Sequence, residues 1–293
     1  MNRPTLLEYA TFYVRLFDGS LGYLQQFTWA IVGFQSWAER TLFIDELSAA
    51  QINDYLAYTK ESLSPNTRIS RRNMLVRIWR HAATNPALTI RPAQVNRDEI
   101  GRVKRRHRPP QGWSIEDVRK LYRFVDQLKG RYAKRIDKRL WWRAYVLCAW
   151  SSGLRRCDLM ALRRADIPPS GRLVTVQVKT GRHVVGTLSK EAMLALAELC
   201  ATHNSELVFA PWCKPRNWWK VAKRLVKRAG LNLSIGHLRH SAGTAVEDLF
   251  PGRGPQFLGN TPAVFYAHYY DRSLAVDLPK PPPLDICAGG TRE

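Results

Sequence analysis

The stretch RVKRRHRPPQGWS, residues 102 to 114, constrains the fold of this chain more than any other. Five cations stand among its first seven residues, and they repel one another along any continuous element. The two prolines that follow each remove a backbone N–H and hold φ near about −65°, and each pushes the residue before it toward extended backbone. Neither a helix nor a central strand runs through such a segment. The chain therefore divides here, into a body of residues 1–101 and a larger one beginning at residue 114, with residues 102–113 as a basic linker between them.

Each part is long enough to bury a core of its own, and a chain of 293 residues that is 45% apolar and carries 10 Trp is not a disordered one. Charge is unevenly placed. Residues 1–65 hold 4 Lys/Arg against 7 Asp/Glu, net −3, whereas residues 66–110 hold 12 against 2, net +10. Within the basic region SPNTRISRRNMLVRIWRHA (64–82) has the pattern of a capped helix. Leu75, Ile78, Trp79 and Ala82 recur at helical spacing, and Arg68, Arg71 and Arg72 gather on another face, either as a solvated surface or as a set of phosphate contacts. Before it, residues 45–59 predict an amphipathic helix capped by Ser48, with Ile52, Tyr55 and Leu56 turned inward. The first body is expected to be all-helical.

The whole chain carries +22, from 46 Lys/Arg and 24 Asp/Glu, so a polyanionic partner is expected. Double-stranded DNA fits better than a lipid surface, because the cations are spread through folded sequence and form no amphipathic membrane-seeking helix. No membrane span is expected. The most apolar run, LWWRAYVLCAW (140–150), is too short and contains Arg143, and the N-terminus has Glu8 and no small-residue cleavage site. The five cysteines, at 148, 157, 200, 213 and 287, are odd in number and scattered, as expected of reduced thiols in a cytoplasmic protein.

The second body predicts helices over 114–129 and 138–152, then a change of texture at GRLVTVQVKTGRHVVGTLS. Leu173, Thr175 and Gln177 alternate there with Val174, Val176 and Val178, and Lys179-Thr180-Gly181-Arg182 supplies turn residues before a second β-branched run. Helices return over 189–202 and 214–229. The fold class expected is mainly α with one small antiparallel β-hairpin, in two domains. The Pro- and Gly-rich tail, residues 277–293, is expected to be irregular.

Two segments of this body carry chemistry. In SSGLRRCDLMALRRADI (151–167), Arg155 at a helix start can fork two donors onto a phosphate, and Asp158 one turn on can orient it or balance its burial; a structural Arg–Asp pair is the competing reading. In SIGHLRHSAG (234–243), His237 and His240 share a helical face. They could serve a metal, act as an acid/base pair, or flank Arg239 at a phosphate site, and the Glu of a helical His-Glu-x-x-His zinc site is missing.

Gly153, Leu154, Arg155, Asp158, Leu159 and Leu162 together resemble the arginine box of the tyrosine recombinase (phage integrase) family, Gly-Leu-Arg-x-x-Glu/Asp-Leu-x-x-Leu. The family's further boxes follow in order. Its hairpin lysine falls on Lys179, and its His/Lys-x-x-Arg box places the second arginine on Arg239, with His240 as the usual next residue. Its Leu-Gly-His box falls on Leu258-Gly259-Asn260, with the nucleophilic tyrosine nine residues on at Tyr269. Two positions depart from the pattern. The first histidine of the second box becomes Gly236, so His237, one residue late, either takes its place or the site runs without it; the histidine of the last box becomes Asn260.

The resemblance covers nearly the whole chain. It implies a helical, SAM-like core-binding domain over residues 1–101 and an α+β catalytic domain over 114–276. The implied activity is site-specific recombination, in which a tyrosine cleaves a DNA strand through a 3′-phosphotyrosine and the strand is rejoined without ATP. Arg155 and Arg239 would hold the non-bridging oxygens, and Asn260 would donate to one of them. Lys179 would protonate the leaving 5′-oxygen, His237 would assist, and Tyr269 would attack. Arg68, Arg71, Arg72, Lys104, Arg105 and Arg106 would contact DNA, the two domains gripping the duplex, with assembly as a tetramer on DNA and nucleoid association through it. No metal and no cofactor is implied, since the arginines supply the positive charge a divalent ion supplies elsewhere. Two rival functions remain: a DNA-binding protein on the same scaffold that has lost catalysis, and an enzyme like the type IB topoisomerases.

Overall fold

The computed structural model describes residues 2–96, 98–105, 109–132, 136–210, 212 and 215–274. Its chain forms two compact units, Met1–Arg108 and Pro109–Glu293. Arg106 and the tail 277–293 lie outside the described residues. Among those described, no helix is long and apolar enough to cross a membrane.

The first unit is helical. Among the described residues its α-helices are α1 (Leu6–Leu16), α2 (Leu21–Ala38), α3 (Ala49–Tyr58) and α4 (Pro65–Thr84). Each starts where a short polar side chain accepts a first-turn amide. Thr5 and Glu8 form a capping box, and Ser20, Ser48 and Ser64 cap the other three, with Pro65 seated in the first turn of α4. Leu75, Ile78, Trp79 and Ala82 of α4 turn inward and meet Ile52 and Tyr55 of α3, with Phe27 and Phe34 of α2, in one apolar cluster. That inward stripe is the one the spacing predicted.

The second unit is organised around α6 (Lys138–Ser152), which buries eight of its 15 residues. Helices α5 (Ile115–Asp126), α8 (Lys190–Cys200) and α10 (His237–Leu249) pack against it. Trp141, Trp142, Tyr145 and Cys148 are buried there. Arg143 lies at the edge of this packing and pairs with Glu198 at 3.3 Å, which is how a run with the composition of a short membrane segment serves as a core helix.

Helix α7 (Arg156–Ala161) leads to the antiparallel pair β1 (Arg172–Val176) and β2 (His183–Thr187), with Val174 opposite Val185 and Val176 opposite His183. The pleat puts Leu173 and Gln177 inward and leaves Val174, Val176 and Val178 exposed. Helices α9 (Pro215–Arg228), α11 (Gly254–Leu258) and α12 (Pro262–His268) complete the unit. Among the described residues the sheet has only these two strands.

Candidate active site

The site forms where three helix ends meet. Helix α6 stops at Gly153, whose φ of 58° is left-handed. A Cβ there would also lie 2.6 Å from Phe257 and 2.7 Å from Leu258, so glycine is needed both for the turn and for the approach of α11. Two residues on, Arg155 is the extended N-cap residue of α7. Its Nη2 donates to Asn260 Oδ1 at 3.2 Å. Asn260 itself is placed by Gly259, which ends α11 with φ 61° and lets Gln177 and Val184 of the hairpin pack close.

Arg239, in the first turn of α10, is 6% exposed. It donates to the carbonyl oxygens of Gly153 and Leu258, the latter at 2.7 Å. These bonds fix the guanidinium to the ends of α6 and α11, with its carbon 5.0 Å from the Tyr269 ring centre. Arg155 Nη1, Arg239 Nε and Asn260 Nδ2 remain buried donors with no hydrogen-bond partner. Three such donors around one hydroxyl-bearing ring fit an anion that presents several acceptor oxygens.

Three tyrosines stand close together, and their environments differ. Helix α12 ends at His268, so Tyr269 and Tyr270 lie beyond it rather than on it. Tyr266 donates to Glu247 at 2.6 Å, and that bond pushes its phenol up to about 12. Tyr270 donates to Asp248 at 3.2 Å, and burial together with that carboxylate raises it too. Burial would raise Tyr269 as well, but the charges of Arg239 and Arg155 outweigh it and hold its phenol below the usual tyrosine value. Tyr269 alone of the three faces the arginines.

The remaining candidates are placed less centrally. Lys179 is exposed on the turn between β1 and β2, and that turn is tied to α7 by Val178 N, next to it in sequence, donating to Asp158 Oδ1 at 2.8 Å. Asp158, 1% exposed, thus anchors the hairpin, and its charge acts on Arg239. His237 Nδ1 lies 3.0 Å from both the hydroxyl and the carbonyl oxygen of Ser234. Between His237 and Tyr269 stands His240, its ring 5.2 Å from the one and 4.8 Å from the other. Sequence reasoning marked His240 only as a partner of His237 on one helical face and as the residue after Arg239; its contact with Tyr269 was not foreseen. Among the described residues no group of three His, Cys, Asp or Glu side chains could hold a metal ion.

In the first unit the arginines of α4 divide by partner. Arg68 donates twice to Leu56 O, at 3.1 and 2.6 Å, satisfying a last-turn carbonyl of α3. Arg71 donates to the Tyr55 hydroxyl at 2.5 Å. Arg72 holds the carbonyl oxygen of Gly101 at 3.0 Å and Arg77 donates to the Tyr23 hydroxyl; with Arg80, Arg102 and Arg105 they line a cleft of about 1310 Å³. Lys104 is exposed on the same segment. The sequence missed Arg77, Arg80 and Arg102 as members of this set, although all three lie in the stretch of net +10.

The chain is similar to known proteins in one domain and in fold. Residues 116–247 match the model of the phage integrase family. No curated protein sequence matches the chain. Solved structures do match in fold. A lambda integrase (residues 75–356) dimer bound to a COC′ core site has TM-score 0.72 at 16% identity, covering 94% of this chain and 99% of that one. XerH site-specific recombinase in a post-cleavage complex with palindromic difH has TM-score 0.68 at 16% identity, covering 87% and 78%. A lambda integrase tetramer bound to a Holliday junction has TM-score 0.67 at 16% identity, covering 88% and 77%.

Proposed function

Because residues 116–247 carry the domain of the phage integrases, the tyrosine recombinases, we propose that this chain is a site-specific DNA recombinase that cuts and rejoins duplex DNA through a phosphotyrosine. The observation that carries the reading is the pairing of Tyr269, alone among three neighbouring tyrosines, with two arginines whose buried donors lack partners.

The chemistry follows from that arrangement. A scissile phosphate entering the cradle would take the free donors of Arg155, Arg239 and Asn260 on its non-bridging oxygens. Charge develops there in the transition state, and each preorganised donor contributes about 3 kcal/mol in other enzymes. An ordinary tyrosine is only about a thousandth ionised at neutral pH; the two guanidiniums favour the phenolate of Tyr269 and aim it at phosphorus. Lys179, on the exposed hairpin turn, would reach the leaving 5′-oxygen and protonate it. The bond to tyrosine keeps the ester's energy, so the strand can be rejoined by the reverse step.

In the first unit the DNA-facing set is Arg72, Arg77, Arg80, Arg102, Lys104 and Arg105, while Arg68 and Arg71 brace the helices. DNA binding by the relatives supports this assignment, and the lambda integrase tetramer on a Holliday junction supports assembly as a tetramer on DNA.

The test is to incubate the full chain with a random-sequence duplex library carrying single nicks, denature, and recover protein-linked DNA. An adduct that disappears in Tyr269→Phe supports the recombinase. Retained duplex without any adduct would identify a DNA-binding protein that has lost catalysis, and relaxation of supercoiled plasmid without sequence preference would identify a topoisomerase.

A further inference from the structure

A phenol that attacks phosphorus must lose its proton, and the groups already assigned cannot take it. Arg155 and Arg239 are cations, the Asn260 amide is not a base, and Lys179 serves the leaving oxygen. Gly236 has no side chain, and the His237 ring packs on His240, 5.2 Å away, while it is the His240 ring that packs on Tyr269.

His240 is differently placed. Its ring centre lies 4.8 Å from that of Tyr269, the planes inclined by 40°. Its Nδ1 is sealed from solvent and has no hydrogen-bond partner. The charged and titratable groups that face it are His237 and Arg239 on α10, His268 at the end of α12, and Asp271 just beyond Tyr269. Burial first, then His237 and Arg239, push the imidazole down to about 4, against the opposing charge of Asp271. It is therefore unprotonated at neutral pH, and a phosphate entering the cradle would bring negative charge that strengthens it as a base.

We propose that His240 accepts the Tyr269 proton during strand cleavage. The proton passes from the phenolic oxygen to Nδ1 as the O–P bond to Tyr269 forms. The P–O5′ bond breaks, its electron pair leaves on O5′, and O5′ takes a proton from Lys179. Rejoining runs the same steps backward. The inference rests on Tyr269 being the nucleophile.

The experiment uses the full chain and the duplex it selects from the random-sequence library, remade with a 5′-bridging phosphorothiolate, whose sulfur leaves without needing a proton. The rate then reports the tyrosine's side of the reaction. His240→Ala should slow adduct formation about 100-fold, the scale of a lost general base, with DNA affinity unchanged. His240→Asn should be equally slow, since an amide can hydrogen-bond but cannot take the proton. Imidazole added to the Ala variant should restore rate, more so for more basic imidazoles.

An active His240→Asn protein, or an Ala variant that no added base rescues, would reduce His240 to packing and overturn the proposal. A His240→Ala protein as fast as wild type, with Tyr269→Phe inactive, would overturn it while leaving the nucleophile in place. Adduct formed by Tyr269→Phe would instead overturn the nucleophile and this proposal with it.

Discussion

Arg239 does two jobs through different atoms. Its two terminal nitrogens donate to the carbonyls of Gly153 and Leu258, while Nε is left without a partner beside Tyr269. Truncation would strand two buried carbonyl oxygens as well as remove a phosphate donor. Arg239→Ala is therefore expected to lower unfolding free energy by about 1–3 kcal/mol and to cut strand cleavage at least about 100-fold. Arg155 has one side-chain acceptor, Asn260, so Arg155→Ala should show the same loss of cleavage with a smaller loss of stability. Urea unfolding and adduct assays on both variants check this. Equal cleavage by Arg155→Ala and wild type would remove the cradle from the mechanism. His240 adds a pH signature. Its folded value near 4 lies below the free imidazole's, so as pH falls below about 6.5 the unfolded chain gains a proton the folded one refuses. Stability should be full above that pH and decline by up to about 3 kcal/mol down to pH 4. His240→Asn should flatten that part of the profile of urea midpoint against pH.

Helix α4 shows how one element carries both structure and function. Its apolar stripe and Ser64 cap were readable from spacing, because a helix buried on one side fixes its periodicity in the sequence. The division among its arginines was not readable. Arg68 and Arg71 look the same as Arg72 in one dimension; all three hold acceptors of their own unit, and only the fold shows that Arg72 also lines the cleft while Arg68 and Arg71 do not. Arg68→Ala should accordingly lower stability by about 1 kcal/mol with little effect on DNA affinity. Arg80→Glu with Arg105→Glu, both lining the cleft, should weaken binding to every sequence and leave the melting temperature nearly unchanged, as fluorescence anisotropy beside thermal melts would show. The segment from α10 to Tyr269 teaches the same lesson. Box spacing singled out Tyr269, but nothing in that spacing says how it differs from its neighbour Tyr270. The chain leaves the helix at His268, and the two phenols part company through their acceptors: Asp248 holds Tyr270, and the arginines face Tyr269.

At the scale of the molecule, two kinds of information behaved differently. The division near the Pro-Pro pair, the helical texture and the hairpin were legible, since each is written in neighbouring residues. The cradle is assembled from residues more than a hundred positions apart, Arg155 with Asn260 for instance, and no local pattern announces such contacts. His240 against Tyr269 and Asp158 against Val178 are closer in sequence, 29 and 20 positions apart, but they too join different elements. Net charge, in contrast, is a property of the whole chain, and +22 predicts that log affinity for duplex DNA falls steeply with log salt, by about 0.9 for each phosphate neutralised. A shallow slope between low and physiological salt would contradict binding through arginines. The central claim, that Tyr269 becomes covalently joined to DNA, is tested most directly by digesting the trapped protein–DNA adduct and sequencing the modified peptide by mass spectrometry. The account predicts a phosphotyrosine at Tyr269, lost in Tyr269→Phe and retained in Tyr270→Phe; the modification at Tyr270 or Tyr266 would contradict it.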